Sequence, residues 1–286
     1  MMKVGRVICL ILCFMTLVSG GLYAFFIHSG YEKGRKEYAS IAEEFTSLTA
    51  ETEDKGENKE IPATEESKPA SQPQKSIHKD MKNIREALVN EPPMDAPECL
   101  KIDWKGLLEK NEDIVGWISI PAVEISYPVV QTDDNEYYLH RGIDKEYLYA
   151  GCIFMDANSS PSLMGYNAII YGHNMRDGSM FARLKDFQSE ETFRKCSYFW
   201  IITPSSDNLY EICSIHQASS GSDSFTLRFR DHETYVKWLN KMSGLTILKT
   251  GVDISSGDRI VTLSTCTQEQ EVRMLVQGKL IYRKER

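Results

Sequence analysis

A mainly β fold, either an antiparallel barrel or a sandwich, is predicted for the C-terminal part of this 286-residue chain. About eight short apolar runs are separated by turn-forming residues, and they do not alternate with helical patterns as βα units would. Hydrophobic residues make up 42% of the chain. We therefore expect one folded domain of about 200 residues, which is large enough to form its own core.

A charge-free run over residues 7–27 dominates the N-terminus, where Lys3 and Arg6 precede it. About 20 apolar residues in a helix match the hydrocarbon thickness of a bilayer, whereas a secretory signal usually has an apolar region of about 7–15 residues. We expect an uncleaved membrane anchor over residues 1–30. A cleaved signal that ends near Ala24 is the alternative.

The segment after the anchor is polar and acidic. Residues 43–68 contain nine acidic residues and three Lys, so they carry six of the eight net negative charges. Such a composition cannot bury enough apolar surface to offset its conformational entropy. We expect a disordered tether over residues 31–76 and a folded domain over residues 77–286. The acidic balance also argues against nucleic-acid binding, which needs a basic surface.

Helical patterns mark four segments of the folded domain. An apolar stripe predicts a helix over residues 77–88, and Asp103 can cap a short helix over residues 103–110. Two further helices are expected at residues 180–187 and 232–242. The strands are predicted at residues 114–120, 125–131, 151–155, 167–171, 198–203, 210–216, 259–266 and 272–282.

Two chemically reactive side chains lie at or just after the ends of predicted strands. Cys266 ends a predicted strand beside the polar stretch 267–271, and His173 follows another strand and Gly172. An accessible thiol is a candidate nucleophile and an imidazole is its usual proton partner, although a structural role is the commoner one for each residue type. Arg273 begins the last strand, where it is either a solvated edge residue or a donor to an oxygen that gains charge.

The remaining cysteines and histidines do not predict a metal site. No C-x-x-C pair is present among the seven cysteines, and no Cys/His spacing is typical of zinc binding. Cys152 and Cys213 are flanked by apolar strand residues and are read as core cysteines. His140, His216 and His232 are read as surface or satisfied core residues. We expect no metal and no cofactor.

The sequence resembles the sortase family, the cysteine transpeptidases that anchor proteins to the Gram-positive cell wall. The motif Thr-Leu-Ser-Thr-Cys that ends at Cys266, the downstream Arg273, and the motif Asn-Ala-Ile-Ile-Tyr-Gly-His that ends at His173 carry the resemblance. It extends from about residue 104 to residue 282, and the helices over 77–88 and 231–242 resemble class B members. It implies an eight-stranded β-barrel with an N-terminal helix and a helix inserted before the cysteine-bearing strand.

The resemblance implies three catalytic roles. Cys266 would attack the carbonyl after the Thr of an Asn-Pro-x-Thr type sorting signal and form a thioacyl intermediate. Arg273 would stabilise the oxyanion. His173 would protonate the departing amine and then take a proton from the incoming one.

Substrate contacts and partners are implied in the same way. Ser264 and Thr265 would line the site, and Asn135 and Leu139 resemble a substrate-groove segment. The partners would be surface proteins with a C-terminal sorting signal, an amine of a peptidoglycan precursor, and the membrane that holds the anchor. The protein would cross the cell membrane once, with its catalytic domain outside the cell. The alternatives are a pilus-assembling sortase that uses a pilin Lys, a secreted cysteine protease, and a non-catalytic surface-binding module.

Overall fold

A computed structural model describes residues 2–48, 88–266 and 271–286, without the side chains of residues 2–13, 26–27, 48 and 266. The helices are α1 (Met2–Phe45), α2 (Trp104–Lys110), α3 (Glu190–Lys195) and α4 (His232–Leu245). Short 3-10 helices span Pro121–Val123, Tyr137–His140, Ala182–Gln188 and Asp223–Phe225. The predicted helix over residues 77–88 lies outside the described part of the chain, apart from its last residue.

Ten strands are described, and eight of them form a closed barrel. Their bounds are β1 Thr46–Leu48, β2 Leu100–Ile102, β3 Ile114–Ile120, β4 Ile125–Val130, β5 Ile153–Met155, β6 Asn167–Tyr171, β7 Tyr198–Ile202, β8 Ser206–Ser219, β9 Ile260–Cys266 and β10 Val272–Glu285. The barrel order is β10-β8-β7-β3-β4-β5-β6-β9, and β1 pairs separately with β2. The predicted eight-stranded barrel is confirmed.

Two neighbouring pairs in the barrel are parallel, which corrects the expectation of a wholly antiparallel sheet. Strands β4 and β5 pair in parallel, and so do β6 and β9. Parallel neighbours need a crossover of a dozen or more residues, and long stretches of chain separate both pairs. Because β6 and β9 run in the same direction, their carboxyl ends lie at one edge of the barrel.

Helix α4 packs against the outside of the barrel, on β8 and the start of β9. Its N-terminal cap is Asp231, whose side chain accepts a hydrogen bond from the Thr234 amide, and its apolar face is buried. A second small core forms around that face, with Cys213, Tyr235, Trp238, Leu239, Met242 and Ile260 as its members. The predicted helix is therefore confirmed, and it extends three residues beyond Met242.

Helix α1 is longer and better packed than predicted. It continues to Phe45, and Tyr38, Ile41 and Phe45 are buried against the barrel. These residues recur at the helical spacing of three and four, a stripe that the acidic composition of the following segment concealed. The expected tether is therefore wrong for residues 31–48, which are helix and strand. Most of the rest of the predicted tether lies outside the described residues.

The prediction of a membrane-spanning anchor over residues 1–30 is also wrong. Among the residues that the structure describes, no helix is long enough and apolar enough to cross a membrane. The apolar run is instead the first part of the continuous helix α1, whose last turns pack on the barrel. The expected single-pass location at the cell membrane, and the membrane as a partner, are corrected with it.

Candidate active site

Parallel pairing of β6 and β9 brings two sequence motifs to the same edge of the barrel. Tyr171 lies opposite Ser264 in the ladder, and the Gly172 amide donates to the Ser264 carbonyl oxygen at 3.1 Å. A Cβ at position 172 would lie 2.5 Å from Cδ1 of Ile153 and 2.7 Å from Cγ of the buried Phe181 ring, so glycine suits this close approach. His173, two residues after the end of β6, therefore lies beside the end of β9.

The imidazole of His173 is held by the turn before β5. Its Nε2 lies 2.7 Å from the Leu139 carbonyl oxygen. Because a carbonyl oxygen only accepts, Nε2 carries the proton of this hydrogen bond and the neutral ring keeps its lone pair on Nδ1. Burial lowers the pKa of His173, the Leu139 carbonyl raises it, and the neighbouring His140 lowers it. The neutral ring is thus favoured.

Cys266 and Arg273 lie opposite each other at the adjoining ends of the last two strands. Cys266 is the last residue of β9 and is the cross-strand partner of Arg273 on β10. The Arg273 Nη1 donates to the Val272 carbonyl oxygen at 3.3 Å, and the side chain lines a cavity.

A cavity of about 290 Å³ opens at this edge of the barrel. It is lined by Asn135, Leu139, Phe154, Tyr171, Gly172, His173, Ser220, Phe225, Ser264, Thr265 and Arg273. Six of the seven residues that sequence analysis selected are therefore brought to one cavity, and the seventh, Cys266, is the neighbour of Thr265 in the chain. Rings of Phe154, Tyr171 and Phe225 make much of the wall apolar.

Two hydroxyl groups in the cavity wall have no hydrogen-bond partner among the described atoms. They belong to Ser264 and Thr265, which are only 1% and 3% exposed. A buried hydroxyl without a partner is costly, since folding removes it from water without replacement. Both residues line the cavity, while their hydroxyl oxygens are themselves buried.

Sequence reasoning missed an aspartate behind the cavity wall. The buried Asp156 carboxylate accepts from Asn135 Nδ2 at 2.9 Å and from the Tyr171 hydroxyl at 3.0 Å. The Asn135 Oδ1 in turn accepts from the Ala157 amide at 2.8 Å. Asp156 thus fixes two lining residues at once. A polar residue directly after the apolar strand β5 was the available signal.

The described cysteine side chains do not provide an activated thiol. Cys152 and Cys213 are buried free thiols, as predicted, and burial raises the pKa of each to about 12. Burial also raises the pKa of Cys99 to about 12 and raises that of Cys196. A thiol with a raised pKa stays protonated and is a poor nucleophile at neutral pH. These four positions are therefore structural.

Comparisons with known proteins agree on one family. A model of the sortase domain family matches residues 118–281. Sortase B of Listeria monocytogenes is 34% identical over 180 residues, which are 62% of this chain and 73% of that protein.

Solved structures give the same answer. A Staphylococcus aureus sortase B–substrate complex has a TM-score of 0.60 at 27% identity, covering 63% of this chain and 84% of that one. A crystal structure of sortase B complexed with triglycine also has a TM-score of 0.60 at 27% identity, covering 63% of this chain and 85% of that one.

Proposed function

This chain belongs to the sortase family and is a sortase B-type transpeptidase, and we propose that it joins a protein bearing an Asn-Pro-x-Thr type sorting signal to an amine of cell-wall peptidoglycan. The reaction passes through a thioacyl intermediate on Cys266. The relatives support both substrate classes, since one is described as a sortase B–substrate complex and another as sortase B with triglycine.

The observation that carries the proposal is the meeting of His173 with the sequence-distant pair Cys266 and Arg273 at one barrel edge. The parallel pairing of β6 with β9 brings His173 to the end of the strand that Cys266 terminates. The antiparallel pairing of β9 with β10 sets Arg273 opposite Cys266. Nucleophile, proton carrier and cation are the three groups that acyl transfer through a thioester requires.

In the first half-reaction, the Cys266 thiolate attacks the backbone carbonyl carbon of the Thr in the signal. The oxygen of the resulting tetrahedral centre gains negative charge, which the guanidinium of Arg273 stabilises. The C–N bond then breaks, the nitrogen takes a proton from His173, and a thioester remains. In the second half-reaction the acceptor amine attacks this thioester, gives a proton to His173, and releases the thiolate with a new amide bond.

The hydrogen bond to Leu139 decides which nitrogen of His173 exchanges the proton. Nε2 is occupied by its bond to the Leu139 carbonyl oxygen at 2.7 Å. Nδ1 therefore accepts the proton when the imidazolium forms and gives it up to the leaving nitrogen. The assignment is the same for the neutral imidazole and the imidazolium, because Nε2 donates to the Leu139 carbonyl oxygen in both.

The pairing of a thiolate with an imidazolium limits the turnover rate. With ordinary pKa values, treated as independent, about 3% thiolate and about 24% imidazolium at pH 7 give about 0.7% of molecules in the productive state. Burial and His140 lower the pKa of His173, which reduces the imidazolium share. We expect slow turnover and a bell-shaped dependence of rate on pH.

The cavity supports a peptide in extended form. The rings of Phe154, Tyr171 and Phe225 offer apolar contact, and we propose that the hydroxyl of Ser264, which is buried without a partner among the described atoms, bonds a backbone group of the peptide. Asn135 and Leu139 also line the cavity, where Leu139 binds His173 and Asn135 is held by Asp156.

The test is to incubate the full chain with an Asn-Pro-x-Thr peptide and triglycine, and to identify products by mass spectrometry. We expect a joined peptide with the native protein and none with Cys266→Ala. The matched control is Cys196→Ala, which removes a half-buried thiol remote from the cavity and should leave the reaction intact. Free acid as the only product in excess triglycine would favour a hydrolase, and joining only to a Lys side chain would favour a pilus-assembling enzyme.

A further inference from the structure

His140 is the last residue of the 3-10 helix Tyr137–His140, and it stacks on His173. The two ring centroids lie 5.4 Å apart and the planes are inclined by 16°. The residue that precedes His140 supplies the carbonyl oxygen that binds His173 Nε2. One turn of chain therefore makes two different contacts with the same imidazole.

His140 is itself held in place by its neighbours. Its Nδ1 lies 3.3 Å from the Tyr149 carbonyl oxygen, and its ring stacks on the Tyr149 ring at 6.2 Å and 24°. Tyr149 in turn meets the edge of Tyr31 on α1 at 5.5 Å. The rings thus form a continuous stack from α1 to the cavity, with His173 at its inner end.

The two contacts restrict different motions of His173. A single hydrogen bond fixes the position of Nε2 but leaves the ring able to rotate about the N···O direction. A flat ring packed on one face removes that rotation, because turning the imidazole would drive its edge into the neighbour. Both contacts are needed to present Nδ1 in one orientation.

We infer that His140 is a positioning residue for the transpeptidation, whose stacked ring holds the plane of His173 so that Nδ1 is presented to the reacting nitrogen in a single orientation. The inference rests on the proposed role of His173 as proton carrier. Proton transfer is sensitive to such orientation, and loss of it costs rate rather than substrate affinity.

The pair also carries an electrostatic consequence. Two imidazolium rings this close repel each other, and His140 adds to the lowering of the pKa of His173 that burial causes first. Other charged or titratable groups around the two rings are Tyr147, Tyr149, Tyr31, Arg141, Arg176, Asp177 and, across the cavity, Arg273. In model peptides guanidinium, carboxyl and phenol groups do not titrate between pH 5 and 8, whereas imidazoles do.

Two substitutions separate the ring from its charge. We expect His140→Ala to lower kcat for peptide joining by about tenfold, with KM for the signal peptide within about twofold of the native value. His140→Phe keeps a flat ring, so kcat should stay near the native value. The acid limb of the pH–rate profile of His140→Phe should move to higher pH, because Phe lacks the charge by which His140 lowers the pKa of His173. The matched control, His232→Ala at the exposed start of α4, should change neither quantity.

A measurement without substrate keeps the inference separable from the proposed function. In ¹⁵N spectra, the native protein and His140→Phe should show a sharp Nε2–H tautomer for His173, and His140→Ala should show broadened ring signals. Native kcat and equally sharp signals in His140→Ala would overturn the inference, as would a loss confined to KM. If the native protein joins no peptide at all, the proposed function fails and the spectra alone decide the role of His140. An acid limb that does not move in His140→Phe would contradict the electrostatic part.

Discussion

Arg273 on β10 is the direct cross-strand partner of Cys266, the last residue of β9. Residues directly opposite each other in an antiparallel ladder lie on the same face of the sheet, about 4.5–5.5 Å apart at Cβ. The ladder therefore fixes the distance between these two positions before any side-chain rotamer is chosen. Arg273 also lines the cavity that contains His173.

Replacement of Arg273 should reduce chemistry more than binding. We expect Arg273→Ala to lower kcat by about 10²–10³-fold with a small change in KM, since a fixed donor to a developing oxyanion acts mainly in the transition state. Arg273→Lys should retain part of the rate, because the ammonium keeps the charge but not the planar fork. Steady-state joining of signal peptide to triglycine measures both quantities.

The matched control for Arg273 is Arg194→Ala on the exposed helix α3, where the guanidinium pairs with Glu190 in the preceding turn. This variant should have native kinetics. An Arg273→Ala enzyme with native kcat and a raised KM would assign the guanidinium to substrate binding and contradict its oxyanion role.

Local sequence patterns predicted the strands and α4 well, because the spacing of apolar residues in an element depends on only a few neighbouring residues. The burial of Tyr235, Trp238, Leu239 and Met242 on one face of α4 follows from their spacing alone. Pairing is different. The parallel contact of β6 with β9 joins Asn167 to Ile260 across a long crossover, and strand periodicity carries no information about it.

The candidate site was selected through the family resemblance, and its assigned roles stay predictions. The residues that sequence missed, Asp156 above all, act through another side chain, so they leave no reactive motif of their own. The buried part of α1 was missed for another reason. Phe45 and Ile41 stand among charged residues, and average composition outweighed their spacing.

Replacement of Ser264 by Ala tests whether its hydroxyl contributes to substrate binding rather than to stability. Its Oγ is buried without a partner among the described atoms, so Ser264→Ala should not lower the free energy of unfolding by more than about 1 kcal/mol. KM for the signal peptide should rise by about three- to tenfold, which corresponds to one hydrogen bond. Urea unfolding and steady-state kinetics on the same preparation give both values.

Thr262 is the comparison for Ser264, because it lies on the same strand and is also buried. Its hydroxyl donates to Asn167 Oδ1 at 2.9 Å and accepts from Gln277 Nε2 at 3.0 Å. Thr262→Val should therefore lower the free energy of unfolding by about 2 kcal/mol. Equal losses of stability in the Ser264 and Thr262 variants would show that the Ser264 hydroxyl has a structural partner.

The end of α1 should contribute to the stability of the barrel. Phe45 is 7% exposed, and its carbonyl oxygen accepts from the Asp103 amide at 3.0 Å. We expect Phe45→Ala to lower the free energy of unfolding by about 3 kcal/mol through loss of buried apolar surface. Phe25→Ala, at a position of the same helix that is 72% exposed, is the control and should leave stability unchanged. Equal unfolding midpoints in urea for both variants would mean that α1 does not pack on the barrel in solution.

His216 should make the protein less stable in acid. The imidazole is buried between two hydroxyls: its Nδ1 is 3.1 Å from Ser214 Oγ, which itself donates to the Met242 carbonyl oxygen, and its Nε2 is 3.0 Å from Ser224 Oγ. Since the Ser214 proton is already used, Nδ1 donates, and in the neutral ring Nε2 accepts from the Ser224 hydroxyl. Burial accordingly lowers the pKa of His216 to about 4.

The sign of the pH effect follows from where the proton binds. Between pH 6.5, the ordinary imidazole value, and about pH 4 in the folded state, the unfolded chain binds the proton and the folded protein does not. Stability is therefore complete above about pH 6.5, falls as the pH drops, and has lost about 3 kcal/mol by pH 4.

Urea unfolding of the native protein and of His216→Gln between pH 4 and 8 measures this contribution, since the amide cannot titrate. The difference in unfolding free energy between the two proteins should shrink as the pH falls from 6.5 to 4, and stay constant above 6.5. Other groups titrate in this range, but they do so in both proteins and cancel in the difference. Parallel curves over the whole range would mean that His216 binds its proton equally well in the folded and unfolded chain, and that its burial does not exclude the charged ring.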